Sequence, residues 1–246
     1  MLDAFRSPRG NRPGKTTLIN LVRALMGFRV SGHTSADGLT SSTTQVRPYR
    51  LTQDIGMPIT MFDSPGLDVQ DVAAISWEDF QWFDDYARLL LEGRIRCRTT
   101  SMPASRLGRT RVTSSASRKF ACHALIMVLR LKPSLLNKPD LLRAACRNCA
   151  RLAKRIALKK NCRPTIAVTG RDALEGVDTA KRNEAVSTIK QEFSNCGLVP
   201  EEDYFVLDAQ SRPVRYETVA TVCRLMHAAL ERAGDRQVVN QLNTSR

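Results

Sequence analysis

The stretch from Gly10 to Asn20, with the sequence GNRPGKTTLIN, constrains the fold of this chain more than any other. A glycine-bounded turn leads into Lys15, two threonines and the start of an apolar-periodic helix. Backbone amides at such a turn can bind phosphate oxygens, and a lysine placed there can reach them. The pattern G-x-x-x-x-G-K-[ST] has Arg9, however, where its first glycine belongs. Alone, the stretch fits either a phosphate-binding loop or a glycine turn before an ordinary surface helix.

The charge of the chain favours an anionic partner. Its 246 residues carry a formal net charge of +14, while 42% apolar and 25% charged residues are an ordinary globular composition. A nucleotide, a nucleic acid or an acidic membrane surface would each match the excess of positive charge. Residues 1–9 lack the apolar core of a signal peptide, and the longest apolar run, 120–131, is too short to span a bilayer. We therefore expect a cytoplasmic protein without a transmembrane segment.

The seven cysteines predict reduced thiols, since their number is odd and their spacing scattered. A long cytosolic chain does not need disulfides for stability. Cys146 and Cys149 form a C-x-x-C pair, but they lie within a helical pattern and no second pair follows at zinc-site spacing. We predict that these two thiols pack in the core and do not bind metal.

The alternation of predicted strands and helices indicates an α/β fold. Strands are predicted at 46–51, 58–62, 120–131, 164–169 and 204–207, and helices at 16–28, 69–92, 135–160, 179–195 and 214–233. This order predicts a three-layer, doubly wound, mostly parallel sheet. We expect a single domain over 1–234, a basic Arg/Ser-rich insertion at about 93–119, and a polar tail at 235–246. The helix 135–160 has seven basic residues after its one acid, Asp140, and no further acid to pair them.

A carboxylate follows the second predicted strand directly. That strand, PITMF, is followed by Asp63-Ser64-Pro65-Gly66. In α/β folds, side chains at the carboxyl ends of buried strands perform phosphate and metal chemistry.

The order of these motifs resembles that of a P-loop GTPase, or G domain. The lysine-threonine loop comes first, a threonine-rich loop spans 31–45, and D-x-x-G starts at Asp63. A later strand ends in Thr169-Gly170-Arg171-Asp172, where the family has [NT]-K-x-D. The resemblance implies a Rossmann-like G domain with a P-loop, a guanine nucleotide as ligand and Mg²⁺ as cofactor.

The resemblance also implies roles for individual residues. The implied catalytic residues are Lys15 and Thr44, with Thr43 as the alternative to Thr44. The implied nucleotide-binding residues are Gly10, Asn11, Arg12, Pro13, Gly14, Lys15, Thr16, Thr17, Gly66, Thr169, Asp172 and Ala209. The implied metal ligands are Thr16, Thr44 and Asp63, the last acting through water. Asp172 would accept hydrogen bonds from N1–H and N2–H₂ of guanine.

Two positions depart from the family pattern. Gly170 replaces the lysine whose apolar stem packs on the base, so guanine preference would depend on Asp172, with Arg171 as a substitute for stacking. Leu67 follows D-x-x-G, where many GTPases have a glutamine that orients water. Since leucine cannot orient water, hydrolysis would be slow or would depend on a residue from a partner or a second copy.

Among GTPases, the chain is most similar to the interferon-induced protein 44 group. The segments that carry this likeness are RVSGHTSADGLTSSTTQ, FDSPGLD, ACHALIMVLRLKPSL and PTIAVTGRD. Septin-like and immunity-associated GTPases share the best of these motifs and remain alternatives.

Two functions of different kinds follow. The first is a guanine-nucleotide-binding switch or assembly module with slow or partner-dependent hydrolysis. The alternative is a degenerate G-like domain without nucleotide turnover, acting as a basic interaction module for nucleic acid or anionic lipid. Arg9 and Gly170 favour the alternative, whereas Lys15 and Asp63 favour nucleotide binding. A P-loop ATPase is a third reading, but Asp63 lacks the acidic neighbour common in those enzymes.

Overall fold

Helices and strands alternate along most of the chain, as the sequence predicts. The structure is a computed structural model that describes residues 15–26, 47–51, 59–63, 73, 77–95, 116–117, 121–131, 135, 137–170, 179–207 and 216–244. The helices are α1 (Lys15–Leu25), α2 (Trp77–Leu91), α3 (Pro139–Lys160), α4 (Thr179–Asn195) and α5 (Tyr216–Thr244). The strands are β1 (Arg47–Arg50), β2 (Thr60–Asp63), β3 (Ile126–Arg130), β4 (Thr165–Thr169) and β5 (Tyr204–Leu207). The predicted α/β class is confirmed.

Strands β3, β4 and β5 form a parallel sheet with β4 in the centre. Arg130 lies opposite Thr169, and Thr169 lies opposite Leu207, so the three strands end at the same edge. Every residue of β4 is buried, as a central strand of a parallel sheet requires. The carboxyl edge of such a sheet is where α/β folds bring ligand-binding residues together.

The other two strands form a separate antiparallel pair among the described residues. Arg47 of β1 lies opposite Asp63 of β2, and Arg50 lies opposite Thr60. A parallel pair needs a crossover of a dozen or more residues, and the connection at 51–59 is shorter than that. The alternation of strands and helices did not predict this direction change.

Apolar side chains of the parallel sheet divide between two clusters. Neighbouring residues of β4 point to opposite faces, because side chains alternate along a strand. One cluster contains Ala167, Phe205 and Leu207 with residues of α1 and α5, among them Leu18, Leu21, Val22, Val222 and Leu225. The other contains Ile166 and Val168 with residues of α3 and α4, among them Leu142, Ala145, Ala150, Ile189 and Phe193. Helices α1 and α5 therefore pack on one face of β4, and α3 and α4 on the other.

The residues at the two ends of α3 explain where the helix begins and ends. The pattern predicted a start at Leu135, but the helix begins at Pro139, because proline is favoured in a first turn, where its missing N–H costs little. The cap after Lys160 is Asn161, with φ 47° in the left-handed region that asparagine tolerates.

The thiols of α3 are part of the core. Cys146 and Cys149 are buried in the cluster with α4, so the prediction that they pack there is confirmed. Burial raises the pKa of Cys149 to about 12 and raises that of Cys146 as well. The six cysteines in the described part of the chain are all free thiols.

Helix α5 is longer than the sequence predicted. Its predicted end at Ala233 was wrong, since the helix continues through Gly234 to Thr244 and includes most of the predicted polar tail. One glycine costs a helix only about 1 kcal/mol, which neighbouring helix-forming residues can offset. Arg232 of this helix donates hydrogen bonds to the Pro164 carbonyl and to Thr165 Oγ1, both at 2.8 Å. These bonds hold α5 against the start of β4.

The predicted basic insertion at 93–119 lies almost entirely outside the described residues. None of the helices in the described part of the chain is long and apolar enough to cross a membrane.

Candidate functional site

Lys15 is the first residue of α1. The first amides of a helix have no acceptor within the helix, and the helix dipole gives this end a partial positive charge. The first turn of α1 contains no acidic residue that would neutralise that charge. The start of α1 thus combines free backbone donors with an ammonium group, an arrangement suited to an anion.

Asp63, at the end of β2, is the carboxylate that interacts electrostatically with Lys15. It is only 2% exposed. Burial lowers the pKa of the Lys15 ammonium, while the negative charge of Asp63 acts to raise it. Because the net shift is downward, Asp63 offsets only part of the cost of burying the lysine. A half-buried cation and a buried carboxylate therefore interact at the junction of α1 and β2.

The end of β4 carries a polar group without a described partner. Thr169 is 0% exposed, and its Oγ1 has no hydrogen-bond partner among the described residues. Its carbonyl accepts a hydrogen bond from the Leu131 N–H at 2.7 Å, which extends the pairing of β3 and β4 to the edge of the sheet. Buried hydroxyls are nearly always hydrogen-bonded in proteins, so the Thr169 hydroxyl marks this edge as a place for a polar partner.

The residue after Thr169 explains one departure from the G-domain pattern. Gly170 is buried and has φ 91°, a backbone conformation that glycine adopts freely and other residues adopt at a cost. A lysine at this position would be strained. The backbone at position 170 therefore matches the glycine in the sequence.

Arg23 and Tyr49 link the helix of the site to the antiparallel pair. The guanidinium carbon of Arg23 lies 5.4 Å from the centre of the Tyr49 ring, within cation–π range. This contact joins α1 to β1, whose partner β2 carries Asp63. The sequence analysis did not predict this positioning contact, because no local pattern relates residues 26 positions apart.

The structure describes some of the predicted site residues and not others. Lys15, Asp63 and Thr169 are described with their side chains, and Thr16 and Thr17 lie in the first turn of α1. The predicted residues outside the described part of the chain are Gly10, Asn11, Arg12, Pro13, Gly14, Thr43, Thr44, Gly66, Leu67, Arg171, Asp172 and Ala209. Lys15 and Asp63 are brought together, whereas no described contact joins Thr169 to either of them.

The described residues fit a cation that is held jointly with a phosphate ligand. They include no group of three or more His, Cys, Asp or Glu side chains that could hold a metal ion. Mg²⁺ in phosphate sites is usually held by one or two carboxylates together with water and the phosphates. Asp63 is a buried carboxylate beside a lysine, which is the donor chemistry that such a site needs.

No protein-family model, curated protein or solved structure gives a significant match to this chain. A function for the chain therefore has to follow from its own residues.

Proposed function

We propose that this chain is a guanine-nucleotide-binding G domain that acts as a switch or assembly module. The observation that carries the proposal is Lys15, at the start of α1, within electrostatic range of the buried Asp63. The two apolar clusters on opposite faces of β4 support a doubly wound, three-layer arrangement. A cytoplasmic location is part of the same proposal.

Phosphate binding is the role that best suits Lys15. Its burial disfavours the charged form, so a nearby anion would stabilise the ammonium that burial destabilises. The backbone amides of the first turn of α1 would donate to the same oxygens. The motif residues before Lys15 contribute to the proposal through the sequence alone.

Asp63 would hold Mg²⁺, with Thr16 and Thr44 as the other ligands that the motif order implies. When bound, Mg²⁺ would neutralise charge on the β- and γ-phosphates. The chain itself contributes positioning by a lysine, a carboxylate and backbone amides, and no covalent chemistry.

The proposal also covers which base is bound and how fast the nucleotide is hydrolysed. Asp172 would accept from guanine and would disfavour adenine, which presents an acceptor in the corresponding place. Because Gly170 cannot supply the apolar stem of a lysine, we expect weaker guanine binding than in G domains with an intact motif. Because Leu67 cannot orient water, we expect slow hydrolysis unless a protein partner or a second copy supplies the missing group.

Titration with fluorescent GDP in Mg²⁺, followed by competition with GTP and ATP, tests the proposal. Lys15→Ala should weaken binding on the order of 10- to 100-fold. Lys181→Ala, which removes an exposed lysine from α4, is the matched control. Absence of saturable binding would overturn nucleotide binding altogether. Equal competition by ATP would overturn only the guanine preference.

A second candidate function, a basic interaction module, is favoured by one observation. Helix α3 has seven basic residues and a single acid within its 22 residues. Retention of anion binding by the Lys15→Ala variant would support this candidate independently of any nucleotide.

A further inference from the structure

Helix α3 is strongly basic, and neighbouring helices neutralise only part of its charge. Arg147 forms a two-pronged ion pair with Glu192 of α4, at 2.7 and 3.1 Å. Arg155 and Lys159 lie 3.6 and 3.2 Å from Asp84 of α2. These acids fix the orientation of α3 against the helices on either side of it.

Part of the charge on the solvent-facing side of α3 is not offset by any acid in the described part of the chain. Arg151 and Lys154 are exposed and have no acidic partner among the described residues. Among the described residues, Arg143 forms an ion pair with Asp140, which is 93% exposed and therefore neutralises it weakly. Positions 143, 147, 151 and 154 recur at helical spacing, so their side chains lie along one side of the helix. We call this side, together with residue 158, the α3 face.

The α3 face ends in an apolar side chain. Leu158 is 87% exposed, the most exposed of the large hydrophobic residues in the described part of the chain. Because Leu158 is exposed to water, it buries little apolar surface and contributes little to the stability of the fold. From Arg143 to Leu158 the face extends about 22 Å, at 1.5 Å per residue.

We infer that the α3 face docks on an anionic phospholipid membrane surface. The basic side chains would contact headgroup phosphates and carboxylates, and Leu158 would insert among the upper parts of the acyl chains. Nucleic acid fits the charges but gives the leucine no apolar medium, since nucleic-acid surfaces offer phosphates and base faces that aromatic and arginine side chains contact. The exposed Leu158 therefore favours a lipid surface over nucleic acid as the partner of the α3 face.

The α3 face is separate from the proposed nucleotide site. Lys15 lies on α1, which packs on one face of β4, and α3 packs on the other. Docking through α3 therefore leaves the start of α1 accessible. The inference does not depend on nucleotide binding, and Lys15→Ala should leave membrane binding unchanged.

Cosedimentation of the full chain with vesicles tests the inference. We expect binding to vesicles of phosphatidylserine mixed with phosphatidylcholine, weaker binding at higher salt, and little binding to phosphatidylcholine alone. Each lost charge should reduce the affinity about five-fold, so Arg151→Gln combined with Lys154→Gln should reduce it on the order of 25-fold. Leu158→Ala should reduce it on the order of ten-fold without changing the net charge.

The matched control removes two positive charges elsewhere. Lys181→Gln combined with Arg224→Gln changes exposed residues of α4 and α5 and should leave vesicle affinity within about two-fold of wild type. Equal losses in the control and in the α3 variant would overturn the docking face. RNA binding that depends on Arg151 and Lys154, with no effect of Leu158→Ala on vesicle binding, would overturn the choice of lipid. Thermal denaturation of every variant identifies any loss that is due to unfolding.

Discussion

Arg232, on α5, donates a hydrogen bond to Oδ1 of Asp203 at 3.0 Å. Asp203 directly precedes β5 and is 1% exposed. Arg163 donates to its other oxygen at 2.6 Å, and the Val199 N–H does so at 3.0 Å. Burial acts to raise the pKa of Asp203, but these hydrogen bonds and the two guanidinium charges together hold it below its ordinary value. The amino edge of the parallel sheet is thus stabilised by ionic contacts, opposite the edge where Thr169 lies.

Replacing Asp203 should destabilise the fold strongly. Asp203→Ala leaves Arg232, which is largely buried, without its counter-charge, and we expect a loss of about 3–5 kcal/mol in the free energy of unfolding. Urea denaturation measures the loss. Asp140→Ala removes an exposed aspartate as a control and should change stability by no more than about 0.5 kcal/mol. A similar small change for both variants would contradict the role of Asp203.

The pair of Arg147 and Glu192 should make stability depend on acid pH. The hydrogen bond from Arg147 holds the pKa of Glu192 below its ordinary value of 4.5. Since the folded-state pKa is lowered, the stabilisation is present above about pH 4.5 and is lost as the pH falls through the folded-state pKa. Wild type should therefore be more stable than Glu192→Gln at pH 7, and the difference should shrink on acidification.

Urea denaturation across pH 7 to pH 3 measures this dependence. Glu184→Gln removes the same charge from an exposed position of α4 and is the matched control. A constant difference between wild type and Glu192→Gln over this range would contradict the assignment.

Two glycines should respond to alanine in opposite directions. Gly170 has φ 91°, so Gly170→Ala should cost about 1–3 kcal/mol in strain. Gly234 lies inside α5, and an added Cβ would have no described atom within 4 Å apart from the adjoining helix backbone, so Gly234→Ala should stabilise by about 0.5–1 kcal/mol. Thermal denaturation compares the two variants. Equal effects of the same sign would argue against the backbone conformation described after β4.

Removing the Lys15 charge should separate stability from binding. Burial outweighs the attraction of Asp63, so the pKa of the Lys15 ammonium is lowered and its charge has a net cost in the nucleotide-free chain. Lys15→Met removes that cost but also removes a counter-charge of the buried Asp63, so the thermal stability of the nucleotide-free chain should change little. Its affinity for GDP should nevertheless fall on the order of 10- to 100-fold, because a charge-assisted hydrogen bond is lost. A variant that unfolds at lower temperature and still binds GDP normally would contradict both statements.

The Asp63 carboxylate should control the effect of Mg²⁺. In wild type we expect tighter GDP binding with Mg²⁺ than with EDTA, because Mg²⁺ is held jointly by carboxylate and phosphate. Asp63→Asn should remove this difference, and titration of fluorescent GDP under both conditions measures it. Asp140→Asn, on the exposed surface of α3, should retain the wild-type response. Full Mg²⁺ dependence in Asp63→Asn would exclude this residue as a ligand.

The sequence predicts elements best where strong local patterns have clear ends. Helix α4 (Thr179–Asn195) and strand β5 (Tyr204–Leu207) have the predicted bounds. In each, apolar periodicity is interrupted by residues that favour turns. The predicted end of α5 at residue 233 is wrong because the single glycine that follows, Gly234, does not stop the helix, which continues to Thr244.

Contacts between distant residues could not be predicted in the same way. Helix α3 itself contains too few acids to pair its basic residues. Glu192, 45 positions from Arg147, and Asp84, 75 positions from Lys159, nevertheless pair with several of them. Tertiary packing decides such pairs, and one sequence contains no periodic signal for them. For the same reason, the motif order suggested that Lys15 and Asp63 meet, whereas the contact between Arg23 and Tyr49 had no such signal.

The contacts of Arg232 also bear on how the chain folds as it is synthesised. This residue follows the backbone and side-chain acceptors that it binds at the start of β4 by 68 and 67 positions. Asp203 therefore remains without one of its two guanidinium partners until α5 has left the ribosome. Until then the amino edge of the sheet contains a carboxylate that is incompletely neutralised, and an incomplete sheet is prone to aggregation. Helix α5 therefore completes the ionic contacts of this edge only after β4 and β5 have been synthesised.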